Sequence, residues 1–87
     1  MTRVMIPSQL IAYTGGATRV EAQGPTVDAV MRDLDRQFEG LRFRVVDEQG
    51  RIRKHMRIFV GMDRVDALDR PLRPGDEVLI FGALSGG

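Results

Sequence analysis

The chain has 87 residues, a net charge of +1 at neutral pH, no cysteine and a single histidine, His55. Disulfides, thiolate metal sites, cysteine nucleophiles and multi-histidine metal sites are thereby excluded, and so small a charge provides no global attraction to nucleic acid or membrane. Hydrophobic residues make up 43% and charged residues 29%, which fits one folded domain spanning 1–87 rather than disorder. No run approaches the roughly 20 apolar residues of a membrane span. The N-terminus has only Val4, Met5 and Ile6 before Pro7, too short an apolar run for a signal-peptide core, so a cytoplasmic location is expected. Lysine is nearly absent, Lys54 being alone among twelve arginines; this reads as genome composition.

From Arg3 to about Tyr13 the chain leans toward strand, with Val4, Ile6, Leu10 and Ala12 on alternate positions. Pro7 suits an edge or a bulge within it. Thr14-Gly15-Gly16-Ala17 is a turn signal, and a second strand over Thr18 to Ala22 completes an expected N-terminal hairpin. Gly24-Pro25-Thr26 then opens a helix, with Thr26 as N-cap and Asp28 in the first turn, where the helix dipole favours negative charge. Val27, Val30, Met31, Leu34 and Phe38 recur at helical spacing and predict a core-facing stripe, with Gly40 as the C-terminal cap. Leu41 to Val46 is ambiguous between strand and irregular structure, and Asp47 to Gly50 is a turn. Met56 to Val60 predicts a strand and Gly61-Met62-Asp63 a turn. Val65 to Leu72 reads as a short extended piece and loops. Arg73-Pro74-Gly75-Asp76 has the order of a type II turn and leads into a last strand, Glu77 to Phe81. Hairpin, helix and strands in this order predict an α+β domain with a mixed sheet and one main helix packed on one face.

The last strand runs into Gly82-Ala83-Leu84-Ser85-Gly86-Gly87, expected to be a flexible tail of small residues ending in a Gly-Gly carboxylate. No carboxylate pair, triad or phosphate loop is visible, and Thr14-Gly15-Gly16 lacks the lysine of a P-loop. The chain is therefore not expected to be an enzyme.

On these residues the chain resembles the ubiquitin-like sulfur carriers of the MoaD/ThiS family, whose fold is the β-grasp. The matching features are Gly24-Pro25-Thr26-Val27, Met56 to Val60, and Arg73-Pro74-Gly75-Asp76-Glu77-Val78 leading to Ser85-Gly86-Gly87. Ile6-Pro7-Ser8 followed by Tyr13-Thr14-Gly15-Gly16 looks like the subgroup whose carrier feeds cysteine synthesis. The resemblance implies that an adenylyltransferase of the ubiquitin-activating type uses ATP to adenylate Gly87. A sulfur donor then displaces AMP, and the resulting thiocarboxylate delivers sulfur to a client: cysteine synthase, the large subunit of molybdopterin synthase or thiazole synthase. No bound cofactor or metal, no membrane and no nucleic acid is expected. Gly82, Ala83, Leu84, Ser85 and Gly86 would form the tail that enters the partner sites.

Period-2 alternation puts Met56, Ile58, Val60, Val78 and Ile80 on the helix-covered face of the sheet. Phe59, Leu79 and Phe81 then fall on the opposite face, beside the root of the tail, and read as a partner-docking patch. In the family the equivalent face binds the activating enzyme. Between Arg42 and Arg57 there are six basic residues (Arg42, Arg44, Arg51, Arg53, Lys54, Arg57) and two acidic ones. This segment is read as a solvated strand-turn-strand face, in preference to an electrostatic contact with an acidic partner or RNA. It is taken to have no aromatic residues interleaved with the arginines to stack bases, which further weakens the RNA case. Two rival functions differ in what they ask of the tail. A ubiquitin-like modifier would end in an isopeptide bond at a target lysine, and a β-grasp module that binds protein or RNA would ignore its tail.

Overall fold

The computed structural model describes residues 1–82. It contains five strands, β1 (Thr2–Met5), β2 (Arg19–Ala22), β3 (Met56–Val60), β4 (Asp63–Val65) and β5 (Glu77–Gly82), and two α-helices, α1 (Val27–Gln37) and α2 (Leu41–Val45). The strands form one mixed sheet in the order β2-β1-β5-β3-β4. β1 and β5 run parallel at its centre with Val4 opposite Val78, and every other pairing is antiparallel.

The main helix forms for the reasons its sequence suggests. The Thr26 side chain accepts a hydrogen bond from the Ala29 N–H at 3.1 Å, satisfying one of the donors a helix start leaves unpaired. Val27, Val30, Met31 and Leu34 are fully buried against the sheet. Gly24 must be glycine, because a Cβ there would lie 2.5 Å from the Ala29 Cβ. Asp28 ties the start of α1 to α2: its carboxylate accepts from Arg32 Nε at 2.9 Å and Arg42 Nη2 at 3.4 Å. The Arg32 bond is the main reason its carboxyl titrates below the ordinary value, with Arg42 adding to the shift.

Several expectations are corrected. The first strand stops at Met5, and Ser8–Thr14 is a 3₁₀ helix. Pro7 has no N–H for a ladder, and its carbonyl instead accepts from Leu10 N–H at 2.9 Å, opening the 3₁₀ turn. Gly15-Gly16 is thus not a tight hairpin turn. Gly15 caps the 3₁₀ helix at φ 66°, and β2 begins at Arg19. Gly40 does not cap α1, which ends at Gln37 with Phe38 as cap; it starts α2 instead, at φ 92°. Of the ambiguous Leu41 to Val46 segment, Leu41–Val45 is that second helix, seated by buried Leu41 and Val45, and Val46 is its extended cap. The basic segment is consequently helix, turn and loop before β3, and not a strand-turn-strand face. Gly82 belongs to β5, opposite Met56, so the last strand is one residue longer than expected and Gly82 is not part of a flexible tail.

One core lies between α1, α2 and the sheet. Met56, Ile58, Val60, Val78 and Ile80 all face it and are buried, as alternation predicts. Each such side chain contributes about 1.5–3 kcal/mol on burial.

Candidate functional site: the root of the tail

The type II turn that launches β5 closes as its sequence predicts. Asp76 N–H donates to the Arg73 carbonyl at 3.0 Å, the Asp76 carboxylate accepts from Arg73 N–H at 2.8 Å, and Gly75 sits at φ 90°. β5 then runs between β1 and β3 and emerges at Phe81 and Gly82, opposite Arg57 and Met56. The Gln9 side chain of the 3₁₀ helix lies over Gly82, where it occupies the space that a Cβ would take. Both sides of the exit are thereby defined, by β3 and by the 3₁₀ helix.

The sheet face turned away from α1 carries the three expected patch residues together. Phe59 and Phe81 meet edge to face, with ring centroids 5.6 Å apart and planes at 80°, the arrangement favoured by aromatic quadrupoles. Leu79 pairs directly with Phe59 across the strands. Phe81 is 47% exposed, whereas Phe59 and Leu79 are half-buried. Register extends this patch beyond the sequence expectation. Met5 stands opposite Leu79 on the other side, Arg19 opposite Met5, and Arg64 opposite Phe59. One row therefore crosses all five strands as Arg19, Met5, Leu79, Phe59 and Arg64: an apolar centre with a guanidinium at each end. Met5 had a signal in its alternation with buried Val4 and Ile6. Arg19 and Arg64 had none, since strand register is not written in any single strand.

Ala83, Leu84, Ser85, Gly86 and Gly87 lie outside the described residues. Among the described residues there is no cluster of three or more histidines, cysteines or carboxylates suited to a metal ion, and no helix is long and apolar enough to cross a membrane. The basic segment needs one further correction. It does hold an aromatic residue, Phe43, which is 54% exposed and stacked under the Arg53 guanidinium at 4.4 Å.

Residues 4–87 match the ThiS family. The chain belongs to that family. The sulfur carrier protein CysO of Mycobacterium tuberculosis is 34% identical to it, over 97% of this chain and 96% of the relative. The crystal structure of M. tuberculosis CysO superposes with a TM-score of 0.91 at 31% identity, covering 97% of this chain and all of the other. CysO in the BexX/CysO complex of Amycolatopsis orientalis superposes at 0.92 and 30% identity, with both chains fully covered. SAMP1 of Haloferax volcanii superposes at 0.77 and 25% identity, covering 99% and 98%. The β-grasp fold, the family resemblance and the sulfur-carrier reading drawn from the sequence are borne out.

Proposed function

We propose that this ThiS-family carrier works through the carboxylate of Gly87 and serves as a protein co-substrate rather than an enzyme. A carboxylate is a poor electrophile. Adenylation corrects this: a Gly87 carboxylate oxygen attacks the α-phosphorus of ATP, pyrophosphate departs, and AMP becomes the leaving group on the acyl carbon. A sulfur nucleophile then forms the C–S bond as AMP leaves, giving a thiocarboxylate. The ATP belongs to the activating partner, an adenylyltransferase of the ubiquitin-activating type, which docks on Phe59, Leu79 and Phe81. The client is a cysteine synthase. The CysO relatives support that choice over molybdopterin synthase or thiazole synthase.

The observation that carries this reading is the direction of β5. The strand delivers Gly82 to the edge of the Phe59–Phe81 pair, and the family match runs through to Gly87. A terminal Gly-Gly suits entry into a narrow partner site, because glycine lets a backbone lie against close walls. The absence of cysteine also fits, since no internal thiol competes for the activated ester.

Intact mass of the protein from its own host, untagged at the C-terminus, tests the proposal. A gain equal to exchanging one oxygen for sulfur, localised to Gly87, is expected. A terminus that stays a plain carboxylate with the host's activating enzyme, ATP and a sulfur donor overturns it. The likeness to SAMP1, a small archaeal modifier protein, keeps one other reading in view. Covalent conjugates of this chain to target lysines, in place of a thiocarboxylate, would identify a modifier.

A further inference from the structure

Beside the tail root lies a surface of concentrated positive charge. Two shallow concavities share Arg53 and Met56; Arg44 borders one, and Lys54, Arg57 and Arg64 border the other. Their lining includes one carboxylate, Asp66, placed 3.5 Å from Arg64 Nε. Among the described residues, the remaining cations are oriented by neutral groups or have no carboxylate within salt-bridge distance. Arg53 Nε donates to the Phe43 carbonyl at 2.6 Å, and Arg57 Nη1 donates to the carbonyls of Lys54 and Met56 at 2.8 and 2.9 Å. A carbonyl fixes the direction of a guanidinium without cancelling its charge. Arg32, Arg36 and Arg42 differ in this respect, each being paired with a carboxylate of α1.

Position gives this charge its meaning. Met56 stands opposite Gly82 and Arg57 opposite Phe81, so any partner site that admits the residues beyond Gly82 brings its rim against Arg53, Lys54 and Arg57. We propose that this cationic surface docks an acidic segment on the enzyme that accepts sulfur from the carrier, an inference that rests on the carrier reading above. The accepting enzyme fits better than the activating one for an electrostatic reason. An adenylating site must hold the phosphates of ATP close to the tail and needs positive charge of its own, which would repel this surface. Carboxylates suit arginine forks, which they can engage through two parallel hydrogen bonds. RNA is the poorer match, because one face of Phe43 is already covered by Arg53 and is closed to a stacking base.

The test uses the thiocarboxylated full chain and the host's cysteine synthase, comparing wild type with Arg44→Glu/Lys54→Glu. Both residues are exposed. Thiocarboxylation by the activating enzyme should proceed at the wild-type rate, which also shows that the variant folds. Sulfur transfer should lose about tenfold in kcat/KM at low salt, and the gap should close as salt screens the attraction. Lys54→Arg should transfer normally. Transfer by the double variant at wild-type kcat/KM across all salt concentrations overturns the proposal. So does a parallel slowing of thiocarboxylation, which would assign the surface to the activating enzyme. A 12-nucleotide oligouridylate that binds wild type but not the double variant at physiological salt would assign it to nucleic acid. Failure of wild type to acquire sulfur at all would overturn the carrier reading, and this inference with it.

Discussion

The two faces of the sheet are cut from the same strands and behave oppositely. On β3 and β5, Ile58, Val60, Val78 and Ile80 turn toward α1 and lose nearly all contact with water, while Phe59, Leu79 and Phe81 turn away. The side chains of both sets are apolar; what differs is the cover. A buried isoleucine touches the helix, the sheet and its own row, whereas Phe81 meets Phe59 edge to face and keeps nearly half of its surface exposed among the described residues. An apolar residue so placed adds little to folding, and under the docking proposal its contribution to free energy comes when a partner supplies the missing layer.

The difference can be broken from either side. Ile80→Ala should destabilise the fold by about 2–5 kcal/mol, the range for truncating a fully buried aliphatic side chain, measured as a lower urea midpoint at unchanged slope. A loss below about 1 kcal/mol would mean that the covered face is looser than its burial indicates. Phe81→Glu should do the reverse: stability stays within about 1 kcal/mol of wild type, while thiocarboxylation slows by roughly 30-fold, the effect of removing a hot spot worth about 2 kcal/mol. Unfolding of this variant, or modification at the normal rate, would remove the patch from the docking role. Thr26→Ala probes the helix that makes the covered face. Loss of its cap should cost about 1 kcal/mol by urea denaturation and leave modification untouched. Asp28 gives the smallest effect. Its folded carboxyl titrates below the ordinary 3.8, so the stability it confers is present above that pH and is lost as pH falls through the lower folded value. Wild type should therefore lose more stability than Asp28→Asn on acidification below about pH 4, and parallel pH curves would count against the Arg32 and Arg42 contacts.

How legible these faces were depended on the range of the interactions that set them. α1 was readable because its cap, its dipole-facing Asp28 and its apolar stripe are all local signals. β3 was readable because period-2 alternation survives intact from Met56 to Val60. Alternation misled at the N-terminus. Val4, Ile6 and Leu10 are indeed all buried, but beyond Pro7 a 3₁₀ turn rather than a strand brings Leu10 to the core. The Leu41 and Val45 pair has helical spacing, yet a helix of five residues is too short for periodicity to declare itself. At the site, Phe59, Leu79 and Phe81 could be grouped from two strands alone. Met5, Arg19 and Arg64 complete the row only through register, which depends on which strands become neighbours. The charge beside the tail was visible as composition, but its place was not, because only the antiparallel pairing of β3 with β5 carries Arg57 to Phe81.

The parallel pairing of β1 with β5 joins opposite ends of the described chain at the middle of the sheet. Such a contact closes the longest loop available and is made late, since its entropic cost falls due before its packing is gained. On a ribosome, β1, α1 and β3 emerge with no centre to assemble around until Glu77–Gly82 is clear of the exit tunnel. The apolar row of Met5, Leu79 and Phe59 spans this same seam. An unfinished chain therefore lacks this face, and under the docking proposal a partner that reads the row would engage only chains in which β5 has joined the sheet.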